Sequence, residues 1–148
     1  MKLIAHRGMF EGPNKNKENL PDQIGEALFR GFDVEIDVWY INDEWWLGHD
    51  EPTYKVDYKF INLVKAWIHC KNLEALSRLS LEVDFLGDFF WHQNDDHTLT
   101  YRGYIWTYPG KPLTPDSICV MPEWVVEPQK FKENCWGVCS DYVGLMDV

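Results

Sequence analysis

FDVEIDVWYI, residues 32–41, alternates apolar and acidic side chains with a strict period of two. Successive Cβ atoms of a strand point to opposite sides, so Val34, Ile36 and Val38 share one face and Asp33, Glu35 and Asp37 the other. The apolar face needs a cover, and the strand therefore predicts a sheet with a packed side. Asn42 and Asp43 supply a turn, and EWWLGHD (44–50) reads as the return strand. Residues 32–49 are thus expected to form a hairpin whose end carries His49.

Upstream, residues 2–6 are a short apolar run that stops at His6, Arg7 and Gly8, and the stretch from Gly8 to Asn19 has the Gly, Asn and Lys content of a loop. A helix is expected from Pro21, a residue suited to a first helical position, with Ile24, Ala27 and Leu28 on one face and Gly31 as its stop. Downstream, VKAWIHCKN (64–72) reads as a strand with His69 and Lys71 on one face and Ile68 and Cys70 on the other. LEALSRL (73–79) has helical spacing, DFFWHQ (88–93) follows, and GYIWTYPG, SICVMPEW and GVCSDYV offer three short late strands. The pattern predicts a mainly parallel α/β sheet whose later crossovers shrink to loops and whose C-terminal strand ends meet at one rim.

With 148 residues, 45% of them apolar, and eight Trp, the chain has the length and composition of one packed domain spanning 1–148. Its net charge of −10 repels polyphosphate backbones, which argues against nucleic acid as a partner. No stretch approaches the roughly 20 apolar residues of a membrane span. The start MKLIAHRG leads straight into strand-like sequence, so a soluble, cytoplasmic protein is expected. Cys70, Cys119, Cys135 and Cys139 fit neither a disulfide scaffold nor a paired zinc motif and read as buried free thiols.

The chemistry concentrates at strand ends. Glu35 and Asp37, two apart on a strand, can hold one hard cation between them; charged strand faces are otherwise solvated, and the pair alone leaves both readings open. His49 closes its strand much as His6 closes the first, and two imidazoles beside a carboxylate pair form an acid and base arrangement. Lys71 is placed to meet an anion at the same rim. In WHQNDDHTLT, the spacing of His92, Asp95, Asp96 and His97 matches no ligand pattern, and a loop or helix start is expected there. Trp91 and Trp106 suit either the core or a substrate contact.

The order HRG, EN before a helix, EID and GHD resembles the glycerophosphodiester phosphodiesterase family, among the phospholipase-C-like phosphodiesterases. The resemblance is dense over residues 3–50 and thinner beyond, where WIHCKN stands for a strand reading Glu, any residue, Lys, and GVCSDY for the closing strand. It implies a TIM-type (β/α) barrel and proton exchange by His6 and His49. It also implies a phosphate held by Arg7 and Lys71, Mg²⁺ or Ca²⁺ on Glu35 and Asp37, and supporting positions for Glu18 and Asp141. Two departures shape the expectation. His69 stands where the family has a third metal carboxylate, which shifts the preference from hard ions toward a transition ion. And 148 residues fall short of the about 250 of a typical TIM barrel, so a compact or incomplete barrel with trimmed helices is expected, with a homodimer as one way to cover exposed apolar surface. The expected activity is metal-dependent hydrolysis of a small phosphodiester. A non-catalytic relative that binds phosphodiesters or sugar phosphates is the alternative, and an interaction module a more distant one.

Overall fold

A computed structural model describes residues 1–147. In chain order its elements are β1 (Lys2–His6), α1 (Pro21–Phe29), β2 (Asp33–Ile41), β3 (Glu44–Leu47), β4 (Tyr54–Val56), α2 (Tyr58–Ile61), β5 (Ala66–Cys70), α3 (Leu73–Ser80), β6 (Asp88–Phe90), β7 (His97–Leu99), β8 (Ile105–Thr107), β9 (Ser117–Val120) and β10 (Gly137–Ser140), with short 3-10 turns after β9 and β10. Seven strands run parallel in the order β6-β5-β2-β1-β10-β9-β8. The hairpin partners β3 and β4 and the strand β7 add antiparallel pairs at the margins.

The expected compact or incomplete TIM-type barrel is not formed. That architecture alternates strand and helix, whereas among the described residues there are three short α-helices and a single curled, mixed sheet shaped as a half-barrel. The cause lies in the connections. Only the β1–β2 and β5–β6 crossovers carry helices of about two turns or more, α1 and α3; the connections after β8 and β9 are loops and 3-10 turns. Without a helix behind each strand nothing forces closure. Side chains rather than a ladder bridge the open seam: Phe90 of β6 stacks on Trp106 of β8 with centroids 4.4 Å apart.

The alternation in β2 sets the two faces. Val34, Ile36 and Val38 pack on the convex side with Ile24 and Ala27 of α1 and with Ala75 and Leu79 of α3. On the concave side Ile4, Trp67, Phe90, Trp106, Ile118 and Cys139 form a second, smaller cluster that serves as a floor. The acidic face of β2 lies on this concave side and is not solvated: Glu35 is 2% exposed and Asp37 fully buried. α1 starts at Pro21 as its sequence requires, and Gly31 closes it with φ +97°. WHQNDDHTLT departs from expectation in one respect, since residues 97–99 form β7 rather than a loop or helix start. The four cysteines are buried free thiols. No described helix is long and apolar enough to cross a membrane.

Candidate metal centre

The register of β2 against its neighbours assembles the site. His6 pairs with Glu35 across β1 and β2, and Asp37 with His69 across β2 and β5, so three strands deliver imidazole, carboxylates and imidazole side by side. One ligand atom each from Glu35, Asp37 and His69 lies within 4.8 Å of the others. His69 Nδ1 is 3.1 Å from Asp37 Oδ1 and 3.9 Å from Glu35 Oε1. Two ligands on an octahedral ion with bonds of ~2.1 Å sit about 3.0 Å apart when adjacent and about 4.2 Å apart when opposite, so both separations reach one of these positions with movements of under about 1 Å.

Hydrogen bonding points the same way. His69 Nε2 lies 3.2 Å from the His92 carbonyl oxygen; a ring that donates there offers the Nδ1 lone pair to a bound cation, whereas toward the bare carboxylate Nδ1 carries a proton that faces Asp37. Among the described residues Asp37 Oδ1 is buried without a hydrogen-bond partner of good geometry, an open acceptor in a site where one is costly. Burial and the neighbouring Asp37 push the Glu35 carboxyl above its usual range. Burial also opposes ionisation of Asp37, but His69, Arg7 and Lys71 outweigh it and hold that carboxyl well below the usual range. Two like charges in one dry pocket split in this way, and a divalent cation relieves the conflict.

His6 is set by Asp141, whose Oδ1 accepts from Nδ1 at 2.8 Å, leaving Nε2 4.0 Å from Glu35 Oε2. Burial disfavours the charged ring, yet the Asp141 hydrogen bond and the Glu35 charge raise its pKa above the ordinary value. Arg7 commits Nη1 to Glu18 Oε2 at 3.0 Å and places Nε 3.2 Å from Asp37 Oδ2, while its backbone N–H donates to Glu35 Oε2 at 3.1 Å. Lys71 Nζ is 3.9 Å from Asp37 Oδ1. Gly8 makes this turn possible: its φ is +81°, and a Cβ there would press on the Ile24 backbone at 3.2 Å.

A cavity of about 170 Å³ opens above the centre, lined by His6, Arg7, Glu35, His49, His69 and His92 on one side and by Trp106, Tyr108, Met121 and Trp124 on the other. Of the residues expected at the rim, His6, Arg7, Glu35, His49 and His69 line this cavity, whereas Asp37, Lys71, Glu18 and Asp141 reach the group through their contacts with His69, Asp37, Arg7 and His6. His49 is the most exposed of the cavity's histidines: its side chain is 39% exposed, and its carboxylate partner Asp50, 2.7 Å from Nδ1, is 93% exposed.

Two features escape a reading of spacing alone. Asn19 is buried in the left-handed region at φ +58°; its Nδ2 donates to Asp37 Oδ2 at 2.9 Å and its Oδ1 accepts from Asp37 N at 3.0 Å. The EN of residues 18–19 held that signal, since Asn tolerates positive φ. His92 lines the cavity with Nδ1 2.9 Å from Asp95 Oδ2, the partner three residues on. Trp106 turns out to be both floor and wall. No family model, curated protein or solved structure matches the chain.

Proposed function

We propose that this protein is a metal-dependent phosphodiesterase acting on a small, glycerophosphodiester-like substrate. The observation that carries the reading is the donor set of Glu35, Asp37 and His69 beside the Asp141-oriented imidazole of His6. A divalent ion held there would offset charge on the phosphoryl oxygens. Lys71 and Arg7 add positive charge at the same rim, and Asn19 and Glu18 fix the groups that hold it. His6 keeps its proton on Nδ1 through Asp141, so Nε2 can take or give a proton at the reacting oxygen. The second proton transfer falls to another histidine of the same cavity, a role the resemblance gives to His49. The mixed nitrogen and oxygen donor set favours Mn²⁺ or another transition ion over Mg²⁺ and Ca²⁺. Four free, buried thiols suit a reducing compartment such as the cytoplasm.

The test is turnover of glycerophosphodiesters and of bis(p-nitrophenyl) phosphate with Mn²⁺, Mg²⁺, Ca²⁺ or none. Metal-dependent release of product that is lost in His6→Gln supports the reading. Tight binding of the diester without turnover under any metal favours the non-catalytic alternative.

A further inference from the structure

The parallel series places two strands at the metal centre and one strand on each side of them. β2 and β5 carry Glu35, Asp37 and His69; β1 flanks them on one side and β6 on the other. β1 ends in His6, and the chain leaving β6 presents His92, which continues the inward alternation of Asp88 and Phe90 and lines the cavity. Both imidazoles are fixed in the same manner. Asp141 Oδ1 takes Nδ1 of His6 at 2.8 Å, and Asp95 Oδ2 takes Nδ1 of His92 at 2.9 Å, with Asp95 Oδ1 held in turn by the Gln93 N–H at 2.9 Å. In each ring Nε2 is the nitrogen left for a ligand.

His92 is also tied to the centre it flanks. Its carbonyl oxygen takes Nε2 of His69, and the two rings lie 5.9 Å apart. The turn that holds it is anchored from beyond: Tyr108 N donates to the Asp96 carbonyl at 2.8 Å, and Lys111 pairs with the Asp96 carboxylate at 3.2 Å. His92 has 20% side-chain exposure against 39% for His49, and it belongs to the parallel series, whereas His49 hangs from the antiparallel hairpin strand β3.

We infer that His92, oriented by Asp95, is the second proton-transfer residue of this cavity, opposite His6 across the metal centre. Displacement at phosphorus keeps the entering and leaving oxygens roughly in line, and a phosphoryl group over Glu35, Asp37 and His69 with that line running across the strands would present them toward β1 and β6. As the entering oxygen forms its bond to phosphorus, its proton passes to Nε2 of one ring. As the bond to the leaving oxygen breaks, that oxygen keeps the electron pair and takes a proton from Nε2–H of the other. Asp95 is a positioning residue. This assignment rests on the proposed phosphodiesterase reading.

The experiment compares kcat of the wild type with His92→Gln, Asp95→Asn, His6→Gln and His49→Gln, in Mn²⁺, on glycerophosphoethanolamine and on bis(p-nitrophenyl) phosphate. His92→Gln should lower kcat on the alkyl diester by on the order of 10²–10⁴, more than His49→Gln does, at unchanged melting temperature and Mn²⁺ affinity. Asp95→Asn should lose less, in the same direction, and serves as the readout should His92→Gln fold poorly. One of the two variants His6→Gln and His92→Gln should lose far less on the nitrophenyl ester, whose leaving oxygen needs no acid; a structural defect would affect both esters alike. Wild-type kcat in His92→Gln, or a greater loss in His49→Gln, overturns the assignment. If the wild type hydrolyses neither ester, the phosphodiesterase reading fails, and the histidine-ring ¹H–¹⁵N spectrum with Mg²⁺ and dimethyl phosphate decides the site: a shifted His92 resonance upholds its place at the ligand, and an unshifted one removes it.

Discussion

At the scale of the residue, the centre is held by backbone conformations that most side chains avoid. Arg7 and Asn19 both sit in the left-handed region, at φ +52° and +58°, and Asn19 N donates to the Arg7 carbonyl at 3.0 Å. Strain of this kind persists only where surrounding contacts over-determine it, and here those contacts run to Asp37. Asn19→Ala removes both side-chain hydrogen bonds to Asp37 and leaves a Cβ residue at positive φ, so it should cost on the order of 2–4 kcal/mol. Urea denaturation should read that loss, with Asn19→Gly recovering only the backbone part; equal stabilities of wild type and Asn19→Ala would show that the pair contributes nothing. His69 invites the opposite change. Replacing its imidazole with a hard oxygen donor in His69→Glu should raise Mg²⁺ affinity relative to Mn²⁺, while losing the stacking of His69 on Phe90 at 5.3 Å. Titrating both ions into both forms measures the ratio, and an unchanged ratio would remove His69 from the ligand set.

At the scale of the element, Asn72 joins a helix to the strand beside it. Its Oδ1 accepts from Ala75 N, capping α3, and from Tyr40 N of β2, and its Nδ2 donates to the Tyr40 carbonyl at 2.9 Å. Asn72→Ala should destabilise the fold by on the order of 2–4 kcal/mol, the sum of a lost cap and an unpaired strand residue; a change in melting temperature within error would contradict this. The strand pattern was legible because period-two alternation at residues 33–38 has a direct physical cause, one covered face and one functional face. The helix at Pro21 and its stop at Gly31 were legible from capping chemistry for the same reason. Architecture was not. The late connections already read as loops, but nothing local tells whether a sheet with so few crossover helices closes into a barrel or stays open, since closure depends on pairing between its first and last strands. The site was legible wherever its residues follow a strand's alternation, as Glu35 with Asp37 in β2 and His69 in β5 with Lys71 just past its end do. His92 and Asn19 were hidden because they leave loops, where register gives no guide.

At the scale of the whole molecule, an acidic chain gathers the buried Glu35, Asp37 and Asp141 at one centre and keeps its thiols buried. Burial pushes Cys70 and Cys119 up to about 12 from an ordinary 9.0. A thiol raised in the folded state favours folding fully below the unfolded value, and that contribution is lost as pH rises from near 9 toward 12. Melting temperature should therefore fall above pH 9, less steeply in Cys70→Ala than in the wild type, and iodoacetamide at pH 8 should label the thiols only on unfolding. Rapid labelling of the native protein would show that the convex core opens readily. Glu35, Asp37 and His69 must act as one metal centre for the proton-transfer groups around them to have a purpose. Calorimetric titration of Mn²⁺ into the wild type and into Asp37→Asn, which keeps the side-chain shape and can still accept from Asn19, tests this most directly. The wild type should bind one ion per chain, and the variant should lose more than the ~10–100-fold in affinity that a change outside the ligand set costs; no binding by the wild type, or equal binding by both, would contradict the metal centre.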